Sequence, residues 1–157
     1  MRLTAYTDYT LRTLIYLALD PGRHATIAQI ADTYRISEAH LTKVVHQLGV
    51  AGEIETVRGR NGGLRLKKSP EEINLGAVVR RTEPDLALVP CFDAPGACVI
   101  GGACVLQHTL HAALAAFLAV LDRTTLADLV APRRRLTAML GIAPPPRARR
   151  AAVALAS

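Results

Sequence analysis

The sequence predicts a mainly α-helical fold with a small β-hairpin wing: a winged helix-turn-helix followed by a long dimerisation helix. Three observations predict it. Before residue 50, apolar residues recur at three- and four-residue spacing in three short stretches, the mark of amphipathic helices. Two short strand-like runs, "EIETV" and "LRL", flank the glycine-rich basic turn "RGRNGG". Further on, a stretch near 104–122 repeats apolar residues as the seam of a coiled coil does.

The first helix spans roughly 8–20, with Leu11, Leu14, Ile15, Ala18 and Leu19 on one face, and Asp20-Pro21-Gly22 ends it. Thr26 caps a short second helix carrying Ile27, Ile30 and Ala31. After the break "YRIS", Ser37 opens a third helix over 38–49 that buries Leu41, Val44, Val45 and Leu48 and ends at Gly49 and Gly52. Asn61-Gly62 predicts a tight hairpin turn with positive φ at both central residues. A further helix starts near Asn74 and packs the hairpin onto the body. Pro84, Pro90, Pro95, Gly96, Gly101 and Gly102 argue against regular structure over 84–104. The long helix then carries Leu106, Leu110, Ala113, Phe117 and Val120 along its seam, with Leu114, Leu118 and Leu121 beside them. One small domain can hardly cover so apolar a helix, so a second copy of the chain is its expected cover.

The organisation follows: a DNA-binding domain over 1–83, a cysteine loop over 84–104, the dimerisation helix and a short following helix over 105–131, and a Pro- and Arg-rich tail over 132–157 that is expected to be disordered. The formal net charge is +6, and the tail alone holds six arginines and no acid. Residues 56–68 hold five basic residues and no acid, which points to a polyanion partner. The N-terminus has no signal-peptide pattern, and the run "AALAAFLAVL" falls short of the roughly 20 residues of a membrane span. The expectation is a cytoplasmic protein with no membrane partner.

In a helix-turn-helix the second helix enters the major groove. With its apolar face buried, the helix over 38–49 presents Ala39, Thr42, Lys43 and His46 outward, and Ser37 and His40 at its entry end. Hydroxyls, an ammonium group and imidazoles suit phosphates and base edges. At the wing, Arg58, Arg60 and Asn61 stand at the turn where an arginine can enter a narrow minor groove, and Lys67 and Lys68 can neutralise phosphates. Double-stranded operator DNA is the expected partner.

All three cysteines, Cys91, Cys98 and Cys104, lie in "CFDAPGACVIGGAC". Clustered thiols in a reducing compartment point to metal or catalysis rather than to disulfides. The spacing lacks the C-x-x-C pair common in structural zinc sites. Wider spacing in a flexible loop suits an iron–sulfur cluster, with Phe92, Val99 and Ile100 placed to limit water. Structural zinc and redox thiols remain open on spacing alone. No catalytic signature accompanies the thiols, so no enzyme is expected.

The run "SEAHLTKVVHQLGVAGEIETVRGRNGGLRL", followed by the three-cysteine loop and a long helix, resembles the family of winged-helix iron–sulfur regulators that includes the IscR and NsrR types. The resemblance covers about residues 1–131, and the N-terminal "YTDYTLRTLIYLA" is similar to the NsrR type. It implies a transcriptional repressor that binds operator DNA as a homodimer and senses nitric oxide through an iron–sulfur cluster, 4Fe-4S or 2Fe-2S. It also implies Asp8, from the partner subunit, as the ligand that joins Cys91, Cys98 and Cys104. Members of the IscR type carry a histidine three residues after the third cysteine, where this chain has Gln107; His108 is the alternative ligand, and His111 a more remote one. Asp8 and Arg12 also stand four apart on the first helix, the spacing of an ion pair. Within the family's chemistry, iron–sulfur status, iron or a cysteine metabolite are alternative signals, and a zinc-stabilised DNA-binding protein is the alternative use of the thiols.

Overall fold

Thr4 opens the first helix: its hydroxyl accepts the amide of Thr7 at 3.2 Å, and Glu83 accepts the Thr4 amide at 2.9 Å. Helix α1 therefore runs over Ala5–Leu19, starting three residues before the sequence expectation. The computed structural model describes residues 2–92, 94, 96, 98–100 and 103–142.

The buried face of α1 also differs from the expectation. Thr7, Thr10 and Thr13 are buried beside Leu14, Leu17 and Ala18, whereas Leu11 and Ile15 are only half-buried. A buried hydroxyl needs a partner. Thr10 and Thr13 donate to the carbonyls of Tyr6 and Tyr9, one turn back, at 2.8 and 2.7 Å. Thr7 donates to Thr82 at 2.8 Å. These bonds let a threonine stripe do what an apolar stripe ordinarily does, and they bring α1 close to α4, Leu75–Thr82.

Helix α2, Ile27–Tyr34, begins with a reciprocal cap between Thr26 and Gln29. The break before α3, Glu38–Val50, turns on Arg35, which takes the left-handed conformation at φ 53° and ψ 47°. Leu41, Val44 and Leu48 of α3 are 0–1% exposed and pack against Leu14 and Leu17 of α1 and Ile30 of α2. Truncating a leucine at such a site costs about 2–5 kcal/mol.

Strand β1, Ile54–Val57, pairs antiparallel with β2, Gly63–Leu66. Ala25 adds a third short rung, exchanging both backbone bonds with Leu64 at 3.0 and 2.7 Å. The turn corrects the sequence expectation. Asn61-Gly62 is not a two-residue turn with positive φ at both positions; among the described residues Arg35 is the sole non-glycine with positive φ. The connection is the longer loop 58–62, with Gly59 at φ +113° and the Gly62 amide donating to the Gly59 carbonyl at 2.9 Å. Val57 pairs with Gly63, which leaves five residues in the loop, and a side chain at Gly63 would meet the Ala25 carbonyl. Arg81 of α4 then ties the wing's base to the body through the buried Glu53, at 2.6 Å.

Helix α5, Val105–Asp122, has a mean hydropathy of 1.4 and no buried residue. Its length and composition alone would let it cross a membrane. Val105, Leu106 and Val120 are more than half exposed. Beyond it the chain returns to the core. Helix α6, Leu126–Leu129, sinks Leu126 to 0% exposure, and backbone bonds join Leu75 to Thr124 at 3.0 Å and Leu126 to Ile73 at 2.9 Å. Residues 133–139, placed in the tail by the sequence reading, form α7, Arg133–Met139, and Arg133 donates to the Leu19 carbonyl at the end of α1 at 2.8 Å. Residues 143–157, where the rest of the expected disordered tail falls, lie outside the described residues.

Candidate DNA interface and cysteine site

Helix α3 turns its polar face to solvent. Ser37, Ala39, His40, Thr42, Lys43 and His46 are all exposed. Ser37 stands at the N-cap position, but its side chain makes no capping bond, which leaves the hydroxyl free for a ligand. Thr42 donates to the Glu38 carbonyl at 2.8 Å. The His40 ring lies against Tyr9 of α1, with ring centres 6.1 Å apart. At the wing Arg58, Arg60 and Asn61 are exposed, as are Lys67 and Lys68. His24 donates from Nδ1 to the Asn61 carbonyl at 2.8 Å and so holds the wing tip to the α1–α2 loop. A basic wing and a polar helix face thus share one small domain.

The thiols are arranged around the start of α5. Cys91 sits in the short 3-10 turn Pro90–Phe92. Cys104 is the N-cap of α5, and its Sγ accepts the Gln107 amide at 3.4 Å. The Gln107 side chain donates to the Cys91 carbonyl at 3.3 Å. One glutamine therefore links the first and third cysteines. Gln107 stands where the IscR type has a histidine, and its side chain reaches the Cys91 carbonyl rather than closing a reciprocal cap on Cys104, a link that no local spacing in the sequence signals. Cys98 is exposed, and all three thiols are free. Phe92 stacks on His111 with centres 3.7 Å apart, which engages that imidazole. Val99 and Ile100 do not shelter the sulfurs in the single chain, for they are 105% and 64% exposed. His108 is exposed on α5.

Asp8 and Arg12 form the expected pair at 2.9 Å. Both side chains are more than two-fifths exposed, so the pair contributes only a few tenths of a kcal/mol. Arg12 also lies 5.6 Å from the centre of the Tyr34 ring, at the end of α2. Burial pushes the Tyr34 phenol up to about 12, against the pull of Arg12. Asp8 is in this way connected to the helix-turn-helix by a route that spacing alone did not reveal. Among the described residues no three His, Cys, Asp or Glu converge on a metal-sized space within one chain. The donor chemistry nevertheless fits an iron–sulfur cluster: three free thiols lie on one segment, and the Cys104 sulfur accepts an amide hydrogen bond.

A family model named Rrf2 and described as an iron-dependent transcriptional regulator matches residues 3–132. The chain is 54% identical over 142 residues to the HTH-type transcriptional regulator NsrR of Shouchella clausii, covering 89% of this chain and 95% of that one. It is likewise 54% identical over 142 residues to the NsrR of Bacillus subtilis, covering 97% of that protein. In three dimensions it is similar to CymR, the global cysteine regulator of B. subtilis, with a TM-score of 0.70 at 27% identity over 84% of this chain and 98% of that one. It also shares its fold with T. potens IscR, with a TM-score of 0.69 at 23% identity over 87% of this chain and 90% of that one.

Proposed function

The chain belongs to the Rrf2 family of DNA-binding transcriptional regulators, and from that premise we propose that it is a homodimeric repressor that senses nitric oxide through an iron–sulfur cluster. One observation carries the proposal: a segment with three free thiols leads directly into an apolar helix that has no buried residue, with Cys104 as the helix's own cap. A sensing group at that place sits at the root of the surface that a second copy would cover.

Cys91, Cys98 and Cys104 would hold the cluster, and Asp8 of a second copy would complete the set, in a 4Fe-4S or 2Fe-2S form. When bound, the cluster supplies iron that is open to attack by nitric oxide, because an oxygen ligand is a weaker partner for iron than a thiolate. The rest belongs to the polypeptide. Gln107 couples the Cys91 backbone to the start of α5. Asp8 has Arg12 as its alternative partner, and Arg12 contacts Tyr34 beside the turn into α3. Tyr9, next to Asp8 in sequence, meets His40 at the DNA-facing end of α3. A change in what Asp8 binds is therefore felt where α3 enters the groove.

Two α5 helices, one from each copy, cover one another along Leu106, Leu110, Ala113, Phe117 and Val120. On this reading the apolar helix lies in a dimer rather than in a bilayer, and the protein is cytoplasmic with its operator. In each copy Ser37, Ala39, His40, Lys43 and His46 face the major groove, and Arg58, Arg60 and Asn61 reach the flanking minor groove. Purification without oxygen tests the reading. The expected product is coloured and carries iron and acid-labile sulfide bound to the dimer. Colourless protein lacking iron and sulfide would end the cluster reading, and bound zinc without sulfide would put the zinc-stabilised alternative in its place.

A further inference from the structure

A second feature lies apart from the cysteine segment. Between the end of α1, the start of α2 and the wing tip is an open cleft of about 740 Å³, within the size range of small-molecule sites. None of the described residues of 84–104 lines it. Its lining includes Tyr16, Asp20, Arg23, His24, Gln29 and Asn61.

Asp20 is the informative member. It is 8% exposed, and among the described residues its Oδ1 is the one buried side-chain oxygen or nitrogen without a hydrogen-bond partner. Its other oxygen lies 3.9 Å from Arg23 Nε, beyond hydrogen-bond reach, and the Arg23 side chain is 57% exposed. Asp20 is also the C-cap of α1, where the helix dipole adds negative potential to that of the acid. Arg23 thus offers Asp20 a long ion pair but no hydrogen bond, and a buried carboxylate oxygen without a donor, at the negative end of a helix, is costly until one meets it. Tyr16, from the last turn of α1, adds an aromatic ring to the same cleft, and a ring face beside an acid is the combination that binds ammonium groups.

We propose that this cleft binds a small molecule through a primary ammonium group, with Asp20 as the anionic anchor. The site is a binding site separate from the thiols, and the proposal does not depend on the cluster. Occupancy would bear on DNA contact, because the His24–Asn61 bond joins the lip of the cleft to the wing.

The test uses the full chain, labelled with nitrogen-15, and n-butylammonium chloride as the probe. Saturable shifts of the Gly22 and Gly62 amide resonances are expected with n-butylammonium. None are expected with 1-butanol, or with potassium chloride at the same ionic strength. Asp20→Asn should weaken binding about tenfold or more, the loss expected for one charge-assisted hydrogen bond. Equal shifts from 1-butanol, no saturable shift from the ammonium, or unchanged binding by a folded Asp20→Asn variant would overturn the proposal. If Asp20→Asn does not fold, the wild-type comparison of the two probes of equal length decides it.

Discussion

Arg80 of α4 and Asp122, the last residue of α5, are joined by two parallel hydrogen bonds, at 2.5 and 2.7 Å. The pair sits where the DNA-binding body meets the apolar helix. Beside it, Asn74 donates to the Asp122 carbonyl at 2.7 Å, and Gly76 leaves the room that the carboxylate occupies. A side chain at Gly76 would collide with Asp122. The joint is therefore bidentate, close-fitting and directional.

The joint has a pH dependence of definite sign. The Arg80 guanidinium holds the Asp122 carboxyl below its ordinary value of 3.8. A carboxyl depressed in the folded state adds stability that is whole above the unfolded value and is lost as pH falls through the folded one. The melting temperature of the wild type should thus exceed that of Asp122→Asn at neutral pH, and the gap should close as the pH drops below about 3.8. Thermal melts of both proteins across that range check it. Both side chains are about two-fifths exposed, so added salt should also narrow the gap.

The wing makes a different prediction. Arg60→Ala should weaken operator binding and reduce the slope of log affinity against log salt by about one, as loss of one phosphate-neutralising cation does. A labelled operator titrated at several salt concentrations measures both. An unchanged affinity and slope would remove Arg60 from the interface. The same experiment on Lys67→Ala tells whether the phosphate contacts extend past the end of β2.

The ligand set is tested by single substitutions. Cys91→Ala, Cys98→Ala and Cys104→Ala should each lose the cluster and specific operator binding while keeping their helical circular dichroism, because none of the three thiols is fully buried. Asp8→Ala should keep the fold, losing only the exposed pair with Arg12, and should alter the visible spectrum and the nitric oxide response. An unaltered spectrum in Asp8→Ala together with an altered one in His108→Ala would transfer the fourth position to His108.

Much of this was legible in the sequence, and the misses share one cause. The helix-turn-helix, the basic wing, α4 from Asn74 and α5 followed from local periodicity and caps, since each element satisfies its own backbone bonds. What escaped was set by contacts distant in sequence. At the wing, His24 holds the Asn61 carbonyl in a loop longer than the two-residue turn. The threonine face of α1 was invisible to hydropathy, because Thr7 needs Thr82, and Thr10 and Thr13 need carbonyls of their own helix. The segment after Pro132 read as disordered from its arginines, yet Arg133 has a carbonyl partner at the end of α1. At the site, residue types gave the thiols and the exposed polar face of α3. The links among Gln107, Cys91, Arg12, Tyr34, Tyr9 and His40 required the fold.

The most direct test of the central claim is the affinity of the oxygen-free, cluster-loaded dimer for its operator, measured by fluorescence anisotropy at fixed salt before and after nitric oxide. The account predicts tight binding beforehand and a fall of about a hundredfold or more afterwards, the scale needed to move an operator from mostly occupied to mostly free. Equal affinity of loaded and metal-free protein, with no effect of the gas on either, would contradict it.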